Sequence, residues 1–221
     1  MRTLYVGLIL VTLFSIKTIA QGTVQDVGSG RVLRKQSYTN IVGSPYLYED
    51  WKDGSVTTTD NKKMDGVKLK YDKYKDELVI VKKSVATVIS KEQILMFEIY
   101  DLDPESLKER TITFTREYGD GYLMIICEGN MTVLKKYSTR LIEIKSNGYG
   151  EAGIQKQFSD NEKYYIIKND KDREIFKPNK KRLLGYTSDR VDEMKKFMKD
   201  NSIDAKSDQD IARFFDYYNS L

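Results

Sequence analysis

The chain has 221 residues and nearly balanced charge, with 37 Lys and Arg against 33 Asp and Glu, and it contains no histidine. The lack of His removes the usual general base of Ser and Cys hydrolases and the commonest zinc and iron ligand. Charges of both signs are mixed along the chain, which argues against a nucleic-acid groove. The single cysteine, Cys127, falls in an apolar run and is expected to be a buried, inert thiol.

The first 20 residues have the pattern of a cleaved export signal. Arg2 gives a basic start, residues 4–16 form an apolar core, and Thr18-Ile19-Ala20 supplies a small-residue cleavage site before Gln21. The apolar core is shorter than the roughly 20 residues that span a bilayer as a helix. The sequence therefore predicts an exported protein of the periplasm or cell surface, cleaved between Ala20 and Gln21, with no transmembrane helix in the mature chain.

Residues 21–39 are polar and rich in Gly and Ser, which predicts a flexible leader with one short strand. The clearest strand pattern follows it. Val67, Leu69 and Tyr71 alternate with lysines, as expected for a strand with one buried face and one face in water. Residues 78–81 predict a second, more deeply buried strand. Tight turns are predicted at three dipeptides, Asp53-Gly54, Asp60-Asn61 and Asp65-Gly66, because Gly, Asn and Asp accept a positive φ.

About ten strands are expected in a β domain that covers residues 40–186. The connections between neighbouring strands leave no room for a helical crossover, so the sheet should be antiparallel, either rolled or an open barrel. A surface loop is expected from Asn147 to about Asp160. Further single strands are predicted at residues 86–90, 94–100, 111–115 and 141–144, and Phe97 and Ile99 should point inward. Two hairpins are predicted, one of residues 122–127 with 131–134 and one of residues 164–168 with 174–177.

The apolar period changes near Thr187, where a helical hairpin of residues 187–221 is expected to begin. Val191, Met194 and Met198 share one face of a first helix. In a second helix the apolar positions follow the i, i+3, i+4, i+7 rule, and these positions are Ile211, Phe214, Phe215 and Tyr218. Helices this short need to pack on the sheet or on each other. The predicted class is α+β, a mostly antiparallel β meander followed by a two-helix element.

Two groups of residues are candidate binding sites. Tyr46, Tyr48 and Trp51 could form an aromatic platform for a glycan or a peptide, although a β-rich core and its rim need such residues equally. Asp101, Asp103 and Glu105 place oxygen ligands two residues apart, a spacing that can hold calcium in a loop. The EF-hand Gly and the distant bidentate Glu are missing, so solvated loop acids are the alternative. The same spacing recurs at Asp170, Asp172 and Glu174.

A local basic cluster consists of Lys177, Lys180, Lys181 and Arg182. A solvated turn explains this cluster about as well as an anionic partner does. Gly-rich phosphate loops, Cys and His metal clusters and nucleophile elbows are all absent from the sequence. No cofactor is therefore predicted.

Several short motifs resemble a family of exported, signal-peptide-bearing proteins of Bacteroidetes-type bacteria. The motifs are Gly43-Ser44-Pro45-Tyr46-Leu47, Trp51, Gly54, Leu69-Lys70-Tyr71-Asp72-Lys73-Tyr74, Asp76-Glu77, the Ala20-Gln21 junction, the hairpin of residues 122–134 and the ending Tyr217-Tyr218-Asn219. The resemblance covers most of the mature chain. It implies a bacterial envelope location and supplies no catalytic residues, because the family has no assigned activity.

These patterns favour an exported, non-enzymatic envelope protein that is structural or binds another protein. One alternative is a carbohydrate-binding protein, or a glycan-active protein that works through carboxylates. A second alternative is a carrier that holds a small ligand in a barrel interior. The expected partner is an envelope protein or a glycan, and no nucleic acid is expected.

Overall fold

The computed structural model describes residues 30–33, 38–102, 107–119, 121–145, 154–169 and 173–221. The predicted export signal and residues 21–29 of the predicted leader lie outside these ranges, as does the predicted loop over residues 146–153. The strands are β1 (Arg31–Val32), β2 (Ile41–Val42), β3 (Lys52–Thr58), β4 (Lys63–Asp72), β5 (Glu77–Lys82), β6 (Val85–Ile89), β7 (Ile94–Leu102), β8 (Glu109–Thr115), β9 (Leu123–Cys127), β10 (Met131–Lys145), β11 (Ile154–Lys168) and β12 (Glu174–Phe176). The helices are α1 (Lys180–Tyr186), α2 (Val191–Asp200) and α3 (Asp208–Asn219).

The twelve strands form one sheet, in which eleven follow the order β1-β6-β5-β4-β3-β7-β8-β9-β10-β11-β12 and β2 lies off this path, beside β11. Consecutive neighbours in this order are antiparallel, as the short connections predicted. The sheet is mixed, however, because β2 runs parallel to β11. It is not closed into a barrel. The predicted α+β class is confirmed, and this parallel pair is the exception in a sheet that was predicted to be mostly antiparallel.

Residues 38–48, here called the N-terminal strap, contact two strands that are far apart in the sheet order. Its β2 pairs with Lys156 and Gln157 of β11. A few residues later, the Leu47 N–H donates to the Tyr71 carbonyl of β4 at 2.9 Å. One short segment can reach both strands only if the sheet curls strongly between them. The strap therefore crosses the open side of a curled sheet.

The main core fills the inside of the curl. Val67, Leu69 and Tyr71 are all buried, which confirms the predicted inward face of β4. The Phe97 and Phe114 rings stack with their centroids 4.7 Å apart. The largest side chains here, Tyr71, Phe97, Phe114 and Tyr122, are each at most 1% exposed. The interior is therefore occupied by the protein's own aromatic side chains.

A second core lies between the sheet and the three helices. Its centre is the apolar face of α3, where Ile211, Phe214 and Phe215 are fully buried, as the helical period predicted. Met194 and Met198 of α2 and Leu183 of α1 pack into the same cluster. Because these helices bury their apolar stripes against strands and against each other, they belong to the folded domain.

The prediction of two C-terminal helices is wrong, since a third helix, α1, precedes them. It begins at Lys180, so the helical part starts seven residues before the predicted boundary at residue 187. Asn179 caps it by accepting the Arg182 backbone N–H at 2.9 Å. The sequence did not predict this short helix because only one of its residues, Leu183, is buried, which leaves no apolar period to detect. Lys180 and Lys181 were interpreted only as part of a basic cluster.

Two of the three predicted turns are irregular positions within strands. Gly54 lies inside β3 at a register shift, where a Cβ atom would come within 2.0 Å of the Glu98 carbonyl oxygen. Gly66 lies inside β4 with a φ of +67°. Both positions require glycine because they are β-bulges or close backbone approaches. Only Asp60-Asn61 reverses the chain as predicted, with the Asn61 N–H donating to the Thr58 carbonyl at 2.9 Å.

The strands β10 and β11 are longer than predicted. Residues 131–134 and 141–144 belong to one strand of 15 residues, and β11, also 15 residues long, includes the end of the predicted loop up to Asp160. The polar residues between the apolar runs were the reason for the error. Lys135 remains in the strand because it forms ion pairs in the folded protein with Glu162 and Asp208.

Candidate functional site

A groove with a volume of about 550 Å³ lies between α3 and the N-terminal strap, and it is here called the central groove. Its floor is made by apolar side chains of neighbouring strands, Ile112 of β8 with Met124 and Ile126 of β9. Tyr137 of β10 adds an aromatic ring. Alternation along each strand directs these residues to one face of the sheet, which explains how distant parts of the sequence form one surface.

The two walls come from opposite ends of the chain. Leu47 and Tyr48 belong to the strap, and Asp208, Gln209 and Ala212 belong to the first turns of α3. Residues 208 and 212 are one helical turn apart and therefore face the same side. Ser207 fixes the start of this helix, since its hydroxyl oxygen accepts the Asp210 N–H at 3.3 Å.

One end of the central groove opens into a second depression of about 710 Å³, and the two share Glu109, Arg110 and Thr111. Asp101 is the centre of the polar contacts there. It receives the Lys52 ammonium at 2.8 Å, the Arg110 guanidinium at 3.1 Å and the Tyr48 hydroxyl at 3.2 Å. Burial raises the pKa of Asp101, but hydrogen bonds from Lys52 and Arg110 outweigh it and lower the pKa to about 2.

Asp208, which lines the central groove, pairs with a buried lysine, Lys135. Its ammonium lies 2.8 Å from Asp208 and 2.9 Å from Glu162, and its side chain is only 6% exposed. The Tyr164 hydroxyl donates to Asp208 at 2.7 Å, and the ammonium lies 4.7 Å from the centre of the Tyr137 ring. Burial lowers the pKa of Lys135, but hydrogen bonds to Asp208 and Glu162 outweigh this effect and raise the pKa above its usual value. Lys135 therefore carries its positive charge near neutral pH.

These contacts leave Asp101 and Asp208 poorly suited to acid and base catalysis. Asp101, with a pKa of about 2, holds no proton to donate near neutral pH. Asp208 is held by Lys135 and Tyr164, which orient both of its oxygens. The arrangement provides an apolar floor, aromatic rings and fixed charges, which are the components of a binding surface.

The predicted aromatic platform is divided between two places. Tyr46 and Trp51 lie on either side of one lysine, with the Lys70 ammonium 5.1 Å and 5.3 Å from their ring centres. Tyr48 instead lies against Lys52, whose ammonium is 4.6 Å from the centre of the Tyr48 ring. Tyr48 also lines the central groove. Cation–π contacts of this kind occupy one face of each ring. The three residues do not share a single contact surface.

Of the predicted calcium ligands, only Asp101 lies in the described part of the chain. Asp103 and Glu105 lie outside it, and so do Asp170 and Asp172 of the second acidic pattern. The described ranges contain no group of three or more Asp, Glu, Cys or His residues that could hold a metal ion. Asp101 pairs with cations of the protein itself.

The motif that carries the family resemblance forms a turn held by hydrogen bonds. Asp72 accepts the Tyr38 hydroxyl at 2.6 Å and the backbone N–H groups of Tyr74 and Lys75 at 2.9 and 3.0 Å. The Lys73 N–H donates to the strap carbonyl of Pro45 at 2.8 Å. These hydrogen bonds of Asp72 and of the Lys73 N–H join the turn to the strap, and the motif thereby stabilises the curl of the sheet.

Cys127 is buried, as predicted. Burial raises the pKa of its thiol to about 12, so the reactive thiolate is scarcely populated near neutral pH. The thiol contacts the Met131 carbonyl at 3.8 Å. The single cysteine is therefore part of the second core, and this burial supports the prediction of an inert thiol.

Sequence reasoning identified Tyr48 and Asp101 but missed Arg110, Tyr137 and Asp208. Tyr137 and Asp208 are more than 70 residues apart in sequence, and only the packing of α3 on β9 and β10 brings them to one groove. No local pattern could have grouped them.

No helix in the described ranges is long and apolar enough to cross a membrane. Comparisons of the chain with protein-family models, with curated proteins and with solved structures found no match.

Proposed function

We propose that the protein is an exported, non-enzymatic protein of the bacterial envelope that binds a partner protein in its central groove. The observation that carries this proposal is the composition of the groove. Its apolar centre contains Met124, Ile126 and Tyr137, and its rim contains Arg110 and Asp208. Protein interfaces have the same anatomy, in which Tyr, Met and Arg are enriched and polar residues surround an apolar centre.

The proposed absence of catalysis is supported by the state of the ionisable groups. The chain has no histidine. Asp101 and Asp208 are occupied by ion pairs with Lys52 and Lys135. The filled interior of the curled sheet disfavours the alternative of a small-ligand carrier, because aromatic side chains occupy the space that such a ligand would need.

Export is supported by the basic start, apolar core and small-residue site of residues 1–20. The resemblance to exported proteins of Bacteroidetes-type bacteria points to the envelope. Intact-mass measurement of the protein from its native host tests this part of the proposal, and a mature chain that begins at Gln21 is expected. A mass that includes residues 1–20 would show a retained, anchored segment.

Site-specific photo-crosslinking tests the groove itself. A photoreactive amino acid at Gln209, which is exposed on the wall of the groove, should capture a partner in the native envelope. The matched control is the same probe at the exposed Lys195 of α2. Ala212→Arg places a long side chain in the groove and should abolish the crosslink without lowering the melting temperature. Equal crosslinking from both positions, or an unchanged crosslink in the Ala212→Arg variant, would contradict the proposal.

A glycan is the second candidate ligand, because the rings of Tyr48 and Tyr137 line the same groove. Isothermal titration with polysaccharide purified from the envelope distinguishes this case. Binding that is lost in Tyr48→Ala would assign the groove to a glycan. If crosslinking at Gln209 captures a protein and no polysaccharide binds, the partner-protein proposal holds.

A further inference from the structure

A second groove, here called the basic groove, lies beside β12 and has a volume of about 570 Å³. It is bounded by β11, β12, the segment before α1 and the segment before α3. Tyr164, Ile175, Phe176 and Pro178 supply its apolar surface. It lies on the helical side of the molecule and shares no lining residue with the central groove.

Four cations line the basic groove, from separate parts of the chain, namely Lys163, Lys177, Arg182 and Lys206. None of them forms a salt bridge with any residue that the structure describes, whereas many other lysines and arginines do. The one acid in the lining, Glu162, is held by Lys135 at 2.9 Å. The groove therefore has a surplus of positive charge that attracts an anionic partner.

The apolar part of the groove includes a large exposed side chain. Ile175 is 61% exposed, although it lies in the middle of β12. The next residue, Phe176, is buried and forms part of the floor. An exposed isoleucine that lines the same groove as four cations suits a partner that carries both apolar and acidic side chains.

The edge of β12 adds a third feature. This strand pairs with β11 on one side and is the last strand of the sheet, so its outer edge has no strand partner within the described ranges. The backbone N–H and C=O groups of such an edge can pair with an added extended chain. The strand β12 thus carries both the free edge and two apolar side chains of the groove, Ile175 and Phe176.

We propose that the basic groove binds an extended acidic peptide segment that adds as a further strand to β12. Neighbouring side chains of a strand face opposite sides, so apolar residues of the added strand can pack beside Ile175 on one face, while its acidic residues lie on the other face, towards the cations. A lipid headgroup would satisfy the charge alone. The concave floor and the free strand edge favour a peptide over a flat membrane surface.

Fluorescence anisotropy tests this proposal with a labelled ten-residue peptide of alternating Glu and Val. The peptide should bind the full-length protein and lose affinity as salt is added, because the charges are exposed. A peptide of alternating Lys and Val should not bind. Reversing two cations in Lys177→Glu with Arg182→Glu should weaken binding at least about tenfold, which corresponds to about 1.4 kcal/mol.

The matched control variant is Lys145→Glu with Lys195→Glu, which makes the same change in net charge at exposed positions outside the groove. Ile175→Asp is a second test that leaves the cations intact, and it too should abolish binding. Circular dichroism verifies that each variant is folded. The proposal is overturned if the control variant weakens binding as much as the groove variant, or if the protein binds phosphatidylglycerol vesicles and not the Glu-Val peptide.

Discussion

Buried charges of this protein are held by partners on distant strands, which makes single residues important for the register of the sheet. The Lys73 side chain is only 8% exposed, and its ammonium lies 2.7 Å from Asp160 of β11. Lys136 of β10 similarly lies 2.8 Å from Asp76 in the turn between β4 and β5. Removing one partner of such a pair leaves a buried charge uncompensated, which typically costs about 3 to 5 kcal/mol. These pairs therefore penalise any other alignment of the strands.

The pH dependence of stability should reveal the ion pairs of Asp101. Its pKa is about 2 in the folded protein and 3.8 for the free side chain. A depressed folded pKa adds stability above the unfolded pKa, and this stability is lost as the pH falls towards 2. The native protein should therefore be more stable than Asp101→Asn at neutral pH. The difference between their free energies of unfolding should be about 2 kcal/mol larger at neutral pH than near pH 2.

Urea denaturation of both proteins at several pH values measures this difference. Asp53→Asn is the control, because the ion pair of Asp53 with Lys68 is more than half exposed and such pairs contribute about 0 to 1 kcal/mol. A constant difference between native protein and Asp101→Asn across the pH range would show that the Asp101 pairs do not stabilise the fold.

The inward face of β4 gives a second prediction at this scale. Leu69 is fully buried in the main core, so Leu69→Ala should reduce the free energy of unfolding by about 2 to 5 kcal/mol. Lys68 is exposed on the opposite face, and Lys68→Ala should change the free energy of unfolding by less than about 1 kcal/mol. Chemical denaturation gives both values, and equal losses in the two variants would contradict the register of β4.

At the scale of elements, the side chain of Asn219 attaches the end of the C-terminal helix to the hairpin between β9 and β10. Asn219 accepts the Met131 N–H at 2.8 Å and donates to the carbonyls of Met131 and Glu128 at 2.9 and 3.3 Å. Gly129 leaves space for it, since a Cβ atom there would come within 2.6 Å of the Asn219 amide nitrogen. The end of α3 thus completes the hydrogen bonds of the hairpin between β9 and β10.

Asn219→Ala should therefore destabilise the protein by about 1 to 3 kcal/mol, because it leaves backbone groups of the hairpin unpaired. Ser220→Ala is the matched control, since the Ser220 hydroxyl contacts only the Tyr217 carbonyl at an exposed position. Thermal unfolding of both variants measures the effect. If the two variants unfold at the same temperature, the hairpin does not depend on Asn219.

The elements that the sequence predicted well are those whose apolar period alone determines them. Alternation located β4 with Leu69, and the helical period located α3 with Phe214. Prediction failed where tertiary partners decide the structure. Lys135 lies in the middle of β10 because Asp208 and Glu162 neutralise it, and both are distant in sequence. Most of the central groove could not be predicted for the same reason. Strand order and helix packing bring its walls together, and no local sequence pattern encodes either of them.

At the scale of the whole molecule, the two cores share the strands in the middle of the sheet. Ile126 of β9 packs against both the main core and the core beneath the helices. The floor of the central groove uses the same strand. A change beneath the helices should therefore affect the stability of the whole sheet, because the shared strand couples the two cores.

Deletion of residues 207–221 tests this coupling. Ile211, Phe214 and Phe215 are fully buried, and burying each such side chain stabilises the fold by roughly 1.5 to 3 kcal/mol. The truncated protein should lose several kcal/mol and unfold at a much lower temperature, as scanning calorimetry will show. If it fails to fold at all, Phe214→Ala in the full chain, with an expected loss of about 3 to 5 kcal/mol, gives the measurement. A truncated protein that melts at the native temperature would mean that the sheet folds independently of α3, and the central groove would then lose one wall without any effect on the fold.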